Sequence, residues 1–334
     1  MGSGRTASIL GTGSYVPLKK LTNLDLSKSL ETNDEWITSR TGIKTRRIAA
    51  PEEATSDLCV EAARKALAEA QIPGEKLGLI IVATITPDYV MPSTASILQS
   101  KLGLSEHGIP AFDLNAACSG FVYALGTAKA YIESGLADYV LVVGAEILSR
   151  VMDYQDRSTC ILFGDGAGAV VVGASTPGRK GHIIREVNLW ADGRETQSLV
   201  IPGGGTVNPA SHVTVDEKMH CIRVNGKEVF RFAVTKMISA VKDLFERHGL
   251  TSNSIGKIIP HQANYRILQA ASERLNLPMD KFFTNLGEYG NTSAASVPLA
   301  LDEAGRSGQL PAGQPVILVA FGAGLTWASA LIEW

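Results

Sequence analysis

The sequence predicts an α/β protein made of two copies of one α/β unit, and three observations support this prediction. Apolar runs that favour strands alternate with Ala-rich stretches that favour helices. The order of these segments is the same in both halves of the chain. The length of 334 residues, 45% of them hydrophobic, is sufficient for two such units. We place the boundary after residue 180, giving one unit over 1–180 and another over 181–334.

Six short apolar runs are the clearest strand candidates, because strands buried on both faces are continuously apolar. They are Leu79–Thr84, Tyr139–Val143, Ile161–Phe163, Ala169–Val172, Lys257–Pro260 and Val316–Phe321. A helix is predicted over residues 57–70, where small and apolar side chains form one stripe. We therefore expect sheets that are covered by helices on both faces.

The two halves carry small-residue turns that lead into helices at corresponding places. In the first half the segment is AFDLNAACSGFVYALGTA, and in the second it is GNTSAASVPLALDEA. Cys118 and Asn291 each stand just before an Ala- and Ser-rich helix, so we predict that their positions are equivalent. A duplicated unit would bring such loops together around a pseudo-twofold axis.

Composition and charge exclude several functional classes. Lys and Arg total 31 against 33 for Asp and Glu, so the basic excess of a broad nucleic-acid surface is missing. No apolar run reaches the roughly 18 residues of a membrane span. The first residues lack the apolar core of a signal peptide, and the four cysteines form neither a CxxC pair nor a disulfide framework. We expect a cytoplasmic protein without a metal site.

Cys118 is the candidate nucleophile. A short strand leads through small residues into a helix, which places Cys118 at a helix start where unpaired N–H groups favour an anion. We expect this position to lower the pKa of the thiol and favour the thiolate. The other cysteines fit buried structural thiols, because they lie on an apolar helix stripe or near strand runs: Cys59, Cys160 and Cys221.

Three further segments are candidates for a site, each with a plainer alternative. His261 leaves the apolar run KIIP for a polar turn, where α/β proteins place functional groups, although a capped or surface histidine has the same pattern. Asn291 follows Gly290 and could be only a turn or N-cap residue. The segment FGAG at 321–324 could turn backbone N–H groups toward an oxyanion, or could be an ordinary turn.

Two glycine-rich segments do not predict nucleotide binding. Gly11 and Gly13 lack the third glycine of a dinucleotide fingerprint, and Pro17 interrupts the helix that should follow. The segment GDGAG at 164–168 leads directly into a strand. We interpret it as a place of close backbone packing.

Taken together, the motifs resemble those of β-ketoacyl-acyl-carrier-protein synthase III, the condensing enzyme that starts bacterial fatty-acid synthesis. The resemblance runs from GTGSYVP to FGAGLTWASALIEW and includes TNDEWITSRTGIKTRRIA, AACSGFVYAL, GDGAGA, PHQANYRI and GNTSAASVP. It implies the thiolase fold, a duplicated five-layer αβαβα arrangement, and a homodimer. It also implies decarboxylative condensation of an acyl-CoA primer with malonyl-acyl carrier protein, with CoA thioesters as substrates and no cofactor.

The resemblance further implies the roles of individual residues. The catalytic set is Cys118, His261 and Asn291, and the oxyanion hole is formed by the backbone N–H groups of Cys118 and Ala323. The CoA contacts are Thr32, Trp36, Arg40, Arg157 and Asn264, with the adenine between Trp36 and Arg157. Met91, inserted from a neighbouring subunit, and Phe321 belong to the acyl pocket. The carrier-protein contacts are Arg231, Arg266 and Arg274.

Some of these residues have a second reading. Thr32 and Glu35 have the spacing of a helix capping box. The three arginines could be a solvated helix face, and Glu273 stands where relatives often carry a base. The family commonly has glycine at the position of Ala323, so the alanine needs a compatible φ. Since Met91 is flexible, we expect a short primer, acetyl first, with propionyl or butyryl tolerated.

The residues also separate this chain from neighbouring families. A thiolase needs a second cysteine within 321–324, a hydroxymethylglutaryl-CoA synthase needs a glutamate where Ile85 stands, and an elongating condensing enzyme needs a histidine where Asn291 stands. Two alternatives stay open. One is a starter-unit or quinolone-type synthase with another primer, and the other is a catalytically silent partner subunit, against which Cys118 argues.

Overall fold

The computed structural model describes residues 4–176, 178 and 181–334. Residue 180, at the predicted boundary between the two units, lies outside the described residues, and that boundary stays a prediction. The strands are β1 (Ala7–Tyr15), β2 (Lys19–Thr22), β3 (Thr45–Ile48), β4 (Leu79–Ala83), β5 (Ala111–Leu114), β6 (Tyr139–Ile147), β7 (Asp165–Ala174), β8 (His182–Ala191), β9 (Leu199–Val200), β10 (Arg223–Val224), β11 (Lys257–Pro260), β12 (Pro315–Gly322) and β13 (Thr326–Glu333).

The α-helices alternate with these strands, as the sequence predicts. They are α1 (Asn23–Leu26), α2 (Asp34–Thr41), α3 (Thr55–Ala70), α4 (Thr94–Lys101), α5 (Gly120–Ser134), α6 (His212–Asp216), α7 (Gly226–His248), α8 (Tyr265–Leu275), α9 (Leu286–Tyr289) and α10 (Ser296–Arg306). Short 3-10 turns precede α5 and α10, over Ala117–Ser119 and Ser293–Ala295. Among the residues described, no helix combines the length and apolar character needed to cross a bilayer.

One mixed sheet of nine strands shows the predicted duplication directly. Its order is β11-β12-β13-β8-β1-β7-β6-β4-β5, so β4, β6, β7 and β1 mirror β11, β12, β13 and β8. In each half two parallel strands are followed by two antiparallel ones. The halves join through only two residue pairs between β1 and β8. The prediction of two copies of one α/β unit is confirmed.

Two central helices, α5 and α10, bury their side chains against both halves of the sheet. The largest core cluster combines these helices with Ile81 and Val142 from the first half and with Leu318 and Ala330 from the second. Alternate residues of the same strands, such as Val82, face the opposite side. This alternation explains why the strands are apolar throughout.

The opposite faces of the sheet are covered by two outer helix pairs. Helices α3 and α4 bury Leu58, Ala62 and Leu98 against the first half. Helices α7 and α8 bury Met237 and Leu268 against the second. The two halves of the sheet form separate layers on opposite sides of α5 and α10. The order of layers is therefore helix, half-sheet, helix, half-sheet, helix, which confirms the five-layer αβαβα arrangement.

Two glycine motifs are explained by close approach of backbones. A Cβ atom at Gly11 would lie 2.4 Å from the Ala70 nitrogen, and one at Gly13 would lie 2.3 Å from the Ala62 oxygen, so helix α3 lies directly on β1 there. At Gly168 a Cβ atom would meet the Leu299 nitrogen of α10 at 2.6 Å. The interpretation of the segment 164–168 as a place of close backbone packing is confirmed, and Gly11 and Gly13 have the same function.

Most predicted elements are present, with one exception. Three predicted strands fall within β6, β7 and β12, Leu79–Thr84 extends one residue beyond β4, a fifth coincides with β11, and the helix over 57–70 falls within α3. The predicted strand Ile161–Phe163 is wrong, because these residues form a turn in which Phe163 makes a single bridge to Asn291. An apolar run of three residues is too short to distinguish a strand from a buried turn.

Candidate active site

Cys118, His261 and Asn291 line one cavity between the two halves of the molecule. The cavity holds about 120 Å³ of space, and most of its wall is apolar. Cys118 precedes α5, His261 follows β11, and Asn291 precedes the turn into α10. The duplication brings these chain segments, which are remote in sequence, to the same point, as predicted.

Cys118 lies in the 3-10 turn that leads into α5, and only 7% of its surface is exposed. The turn begins with Ala117 at φ 46°, a left-handed conformation that is unusual for a residue with a Cβ atom. The end of β12 passes very close, since a Cβ atom at Gly322 would lie 2.6 Å from the Cys118 nitrogen. Glycine at 322 is therefore required for β12 to reach the nucleophile.

The resting thiol is not activated in the way that its helix-start position predicts. The pKa of Cys118 is raised to about 12, mainly by burial, which a hydrogen bond from Ser293 partly opposes and to which the nearby Glu146 carboxylate adds. The prediction of a lowered pKa is wrong for the resting protein, because desolvation of the thiolate outweighs the favourable contacts. The resting form of Cys118 is therefore the thiol.

His261 is buried, with 1% of its surface exposed, and is fixed on three sides. Its backbone N–H donates to the Val319 oxygen at 2.7 Å, and its Nδ1 lies 2.6 Å from the Ser296 hydroxyl. The Phe321 ring packs edge-on, with ring centroids 5.1 Å apart. When Ser296 donates to Nδ1, the ring proton lies on Nε2, which is then the donor available to the cavity.

Burial lowers the pKa of His261 to about 3, so the imidazole is neutral at ordinary pH. The unfolded chain takes up this proton near pH 6.5, so the His261 contribution to stability is lost as the pH falls below that value. We expect wild type to lose about 2 to 3 kcal/mol more than His261→Gln when the pH is lowered from 7 to 4.5. Urea unfolding of both proteins at the two pH values measures this difference, and equal losses would contradict the prediction.

Asn291 is held by its backbone and by the turn that follows it. Its N–H donates to the Leu162 oxygen at 2.8 Å, and its carbonyl accepts from Gly164 at 3.0 Å. Its side-chain oxygen accepts from the Ser293 N–H at 2.8 Å. This bond sets the orientation of the amide, so the NH₂ group is the part that can donate to a substrate.

The predicted equivalence of Cys118 and Asn291 is wrong by three residues. Ala117 and Ser293 share the left-handed backbone, with φ of 46° and 48°, and each follows an asparagine by two positions. Asn115 bonds the Ala117 N–H just as Asn291 bonds the Ser293 N–H. Asn291 therefore corresponds to Asn115, and Cys118 corresponds to Ala294 in the second half.

Three of the residues that the family resemblance assigns to CoA cluster around the Trp36 ring of α2, and Asn264 lies apart from them at the start of α8. The Arg40 guanidinium carbon lies 4.5 Å from the centre of the Trp36 ring, and that of Arg157 lies 5.0 Å from it. Arg157 also donates to the Glu31 carbonyl. Asn264 lines the cavity, and its side-chain oxygen caps α8 through the Arg266 N–H.

Thr32 does not cap α2. The N-cap is Asn33, whose side chain accepts from the Trp36 N–H at 2.7 Å. The capping-box reading of Thr32 is therefore wrong, because the helix begins one residue later than the spacing suggests. The Thr32 hydroxyl is buried and has no hydrogen-bond partner among the residues described.

The remaining predicted site residues are also placed by the structure. Phe321 lines the cavity, whereas Met91 is 85% exposed and lies outside it, next to the exposed Tyr89 and Val90. Ala323 follows β12, and it is not one of the non-glycine residues with positive φ, so its methyl group is accommodated without strain.

The three arginines are all exposed on helices: Arg231 on α7, and Arg266 and Arg274 on α8. None of them forms an ion pair with Asp or Glu in the described part of the chain. Glu273 is exposed beside Arg274. The positive charges are therefore free to meet an acidic surface.

Three residues that the sequence analysis did not single out stand directly behind the cavity. Ser296 contacts His261, Ser293 contacts both Asn291 and Cys118, and Glu146 contacts Ser293. Glu146 gave one signal in the sequence, since it is the only charged residue within the apolar run VLVVGAEIL. The two serines gave none, because small residues before a helix are common.

Comparison with known proteins identifies relatives over nearly the whole chain. Residues 112–193 match the family described as 3-oxoacyl-[acyl-carrier-protein] synthase III, and residues 245–334 match its C-terminal part. The β-ketoacyl-[acyl-carrier-protein] synthase III of Caldanaerobacter subterraneus subsp. tengcongensis is 54% identical over 328 residues, which are 98% of either chain.

Solved structures give the same result for the fold. The 3-oxoacyl-[acyl-carrier-protein] synthase III of Aquifex aeolicus VF5 is 45% identical, with a TM-score of 0.89, over 98% of this chain and 100% of that one. The priming β-ketosynthase of the R1128 polyketide biosynthetic pathway is 38% identical, with a TM-score of 0.88, over 98% of this chain and 96% of that one. The fold is the thiolase fold.

Proposed function

Because the chain belongs to the 3-oxoacyl-[acyl-carrier-protein] synthase III family, we propose that it condenses an acyl-CoA primer with malonyl-acyl carrier protein. The products are β-ketoacyl-acyl carrier protein, CoA and CO₂, and the reaction initiates fatty-acid synthesis. The observation that carries this assignment is the meeting of Cys118, His261 and Asn291 at one apolar cavity. Both substrates are activated thioesters, so the reaction as proposed requires no resident cofactor.

In the first half-reaction the Cys118 sulfur attacks the carbonyl carbon of the acyl-CoA, and the CoA sulfur leaves. The developing oxyanion is stabilised by the backbone N–H of Cys118 and by that of Ala323. The close approach of β12 to Cys118, seen at Gly322, supports this pairing. The acyl group remains on Cys118 as a thioester.

In the second half-reaction malonyl-acyl carrier protein loses CO₂, and an enolate forms at its thioester carbonyl. Neutral His261 donates from Nε2 and Asn291 donates from its amide NH₂, so two donors face the developing negative charge. The low pKa of His261 supports this role, because a neutral imidazole donates without drawing the enolate into an ion pair. The carbanion then attacks the acyl-Cys118 carbonyl and expels the Cys118 thiolate, which takes up one proton from solvent to become the thiol again.

The CoA nucleotide is proposed to bind on the exposed side of α2. The flat faces of Trp36 and Arg157 are proposed to hold the adenine, for which the two groups must move apart from their present separation of 5.0 Å. Arg40 is proposed to meet the phosphates, the unpartnered Thr32 hydroxyl the nucleotide, and Asn264 the pantetheine arm. Exposed Arg231, Arg266 and Arg274 are proposed to dock the acidic carrier protein.

The acyl pocket is proposed to be completed by a second copy of the chain. Tyr89, Val90 and Met91 expose 63%, 97% and 85% of their surfaces, which is unusual for three consecutive large apolar residues. In the homodimer Met91 would enter the neighbouring cavity and limit its depth beside Phe321. The cytoplasmic location stays a prediction from the sequence.

The small cavity favours a short primer. We expect turnover with acetyl-CoA to exceed turnover with butyryl-CoA, and octanoyl-CoA to be the poorest of the three, because about 120 Å³ of space leaves little room for a long chain. Product formation with malonyl-acyl carrier protein and each primer measures this order. Faster reaction with octanoyl-CoA than with either short primer would contradict it.

A starter-unit synthase of another pathway is the second candidate, because a priming β-ketosynthase of a polyketide pathway has the same fold. Its identity of 38% is lower than the 54% of the fatty-acid relative, which favours the first assignment. The same primer series extended to aromatic acyl-CoAs distinguishes the two.

A further inference from the structure

Glu146 is the most completely buried carboxylate near the site, and the reaction as described above does not use it. It lies in β6 with none of its surface exposed. Its oxygens accept from the hydroxyls of Thr84 and Thr86 at 3.2 and 2.6 Å, and from the N–H groups of Ile85 and Thr86 at 3.1 Å. All these donors are neutral, and within the described part of the chain Glu146 forms no ion pair.

A fifth donor connects Glu146 to the nucleophile. The Ser293 hydroxyl donates to the Glu146 Oε1 at 3.0 Å and lies close enough to the Cys118 sulfur to influence the pKa of the thiol. Ser293 is held in the left-handed conformation, and its N–H is bonded by Asn291. The surroundings thus fix the backbone of Ser293, and its hydroxyl is held between the carboxylate and the thiol.

We propose that Glu146 receives the Cys118 proton through the Ser293 hydroxyl while the sulfur attacks the acyl-CoA. This inference rests on the proposed acyl transfer to Cys118. The S–H bond of Cys118 breaks as its sulfur bonds to the carbonyl carbon. Ser293 takes up that proton and passes its own to the Glu146 carboxylate.

The proton then returns by the same path. As the bond between the carbonyl carbon and the CoA sulfur breaks, Glu146 gives the proton back to Ser293, and Ser293 gives its own to the departing sulfur. The net change is one thiol and one thioester exchanging partners, with no proton gained or lost. Glu146 touches no reacting atom, so it is a positioning residue that acts through Ser293.

The ionisation of the two groups agrees with this path. Burial keeps Cys118 a thiol at rest, so a proton acceptor is needed during attack. Burial raises the pKa of Glu146 to about 7, so the carboxylate can gain and release a proton near neutral pH. The other thiol that feels the Glu146 charge is Cys59 on α3, where Asp88, Asp113 and Lys101 also act.

The path predicts a specific pH dependence. Since the ionised carboxylate is the acceptor, the rate of Cys118 acylation should rise with pH through the pKa of Glu146. Ser293→Ala breaks the path but leaves Glu146 in place, and alanine is tolerated in this conformation, because Ala117 adopts it at the equivalent position. Glu146→Gln removes the acceptor with little change of shape. The matched control is Ser119→Ala, whose hydroxyl bonds Ala116 and Thr326 instead.

The experiment measures single-turnover acylation by acetyl-CoA from pH 5.5 to 9, with intact mass as the readout. We expect wild type and Ser119→Ala to show a rate that falls below about pH 7. Ser293→Ala and Glu146→Gln should acylate at least about tenfold more slowly at pH 8 and should lose that fall. Thermal melting and CoA binding check that each variant is folded. If Glu146→Gln is not folded, Ser293→Ala alone tests the proposal.

Folded Ser293→Ala that acylates with the wild-type rate and pH profile would overturn the relay. Failure of the proposed function is a separate result, because wild type would then form no adduct on Cys118 at any pH. If wild type forms the adduct and the variants acylate as wild type does, only the proton relay is contradicted, and the proposed function stands.

Discussion

Replacing Cys118 by serine is expected to reduce condensation by more than about 1,000-fold and to abolish the acyl-enzyme. A serine hydroxyl in the same buried position has a far higher pKa than a thiol and is a weaker nucleophile. The cavity wall and the donors of His261 and Asn291 remain in place, so binding of the substrates should change little. The measurement is the steady-state rate together with intact mass after exposure to acetyl-CoA.

The matched control for this variant is Cys221→Ser. Cys221 is also a free thiol, is more accessible than Cys118, and does not line the cavity. We expect this variant to be acylated and to turn over as wild type does. A Cys118→Ser protein that keeps the wild-type rate, or an adduct that depends on Cys221, would contradict the assignment of the nucleophile.

Replacing His261 by alanine is expected to separate the two half-reactions. Acylation should stay within a few-fold of wild type, because Cys118 and its oxyanion donors are unchanged. Release of CO₂ and condensation should fall by about 100- to 10,000-fold, since one of the two donors to the enolate is lost. Acyl-enzyme formation and ¹⁴CO₂ release from malonyl-acyl carrier protein are measured separately.

His107→Ala is the control for this second variant, because His107 is exposed and lies outside the cavity. It should retain both half-reactions. If His261→Ala loses acylation as completely as condensation, His261 acts on the nucleophile itself, and the division of roles proposed here is wrong.

The architecture was largely predictable from the sequence, because strands that are buried on both faces leave an unmistakable pattern. The run Leu79–Ala83 is apolar throughout, Lys257–Pro260 is apolar after its first residue, and each mirrors the other in the sheet. The turn at Ile161–Phe163 has the same composition but pairs only once, with Asn291. The composition of a short segment indicates that it is buried. Whether it pairs as a strand depends on tertiary contacts with residues that are remote in sequence.

The residues of the site were predictable from the sequence, but the pKa of Cys118 and the register of the duplication were not. Cys118, His261 and Asn291 stand where strands give way to helices, which a sequence shows. The direction of the Cys118 pKa depends on how much water the fold excludes, and the register of the duplication depends on two left-handed residues. The roles of Ser293 and Ser296 follow only from the atoms that they contact in the folded protein, which the sequence does not show.

The intact mass of the protein after incubation with acetyl-CoA, followed by peptide mapping, tests the central claim most directly. The account predicts one acetyl group on Cys118, which disappears with release of CO₂ when malonyl-acyl carrier protein is added. Absence of an adduct with acetyl-CoA and with longer and aromatic acyl-CoAs would contradict it and would leave the chain as a silent partner subunit.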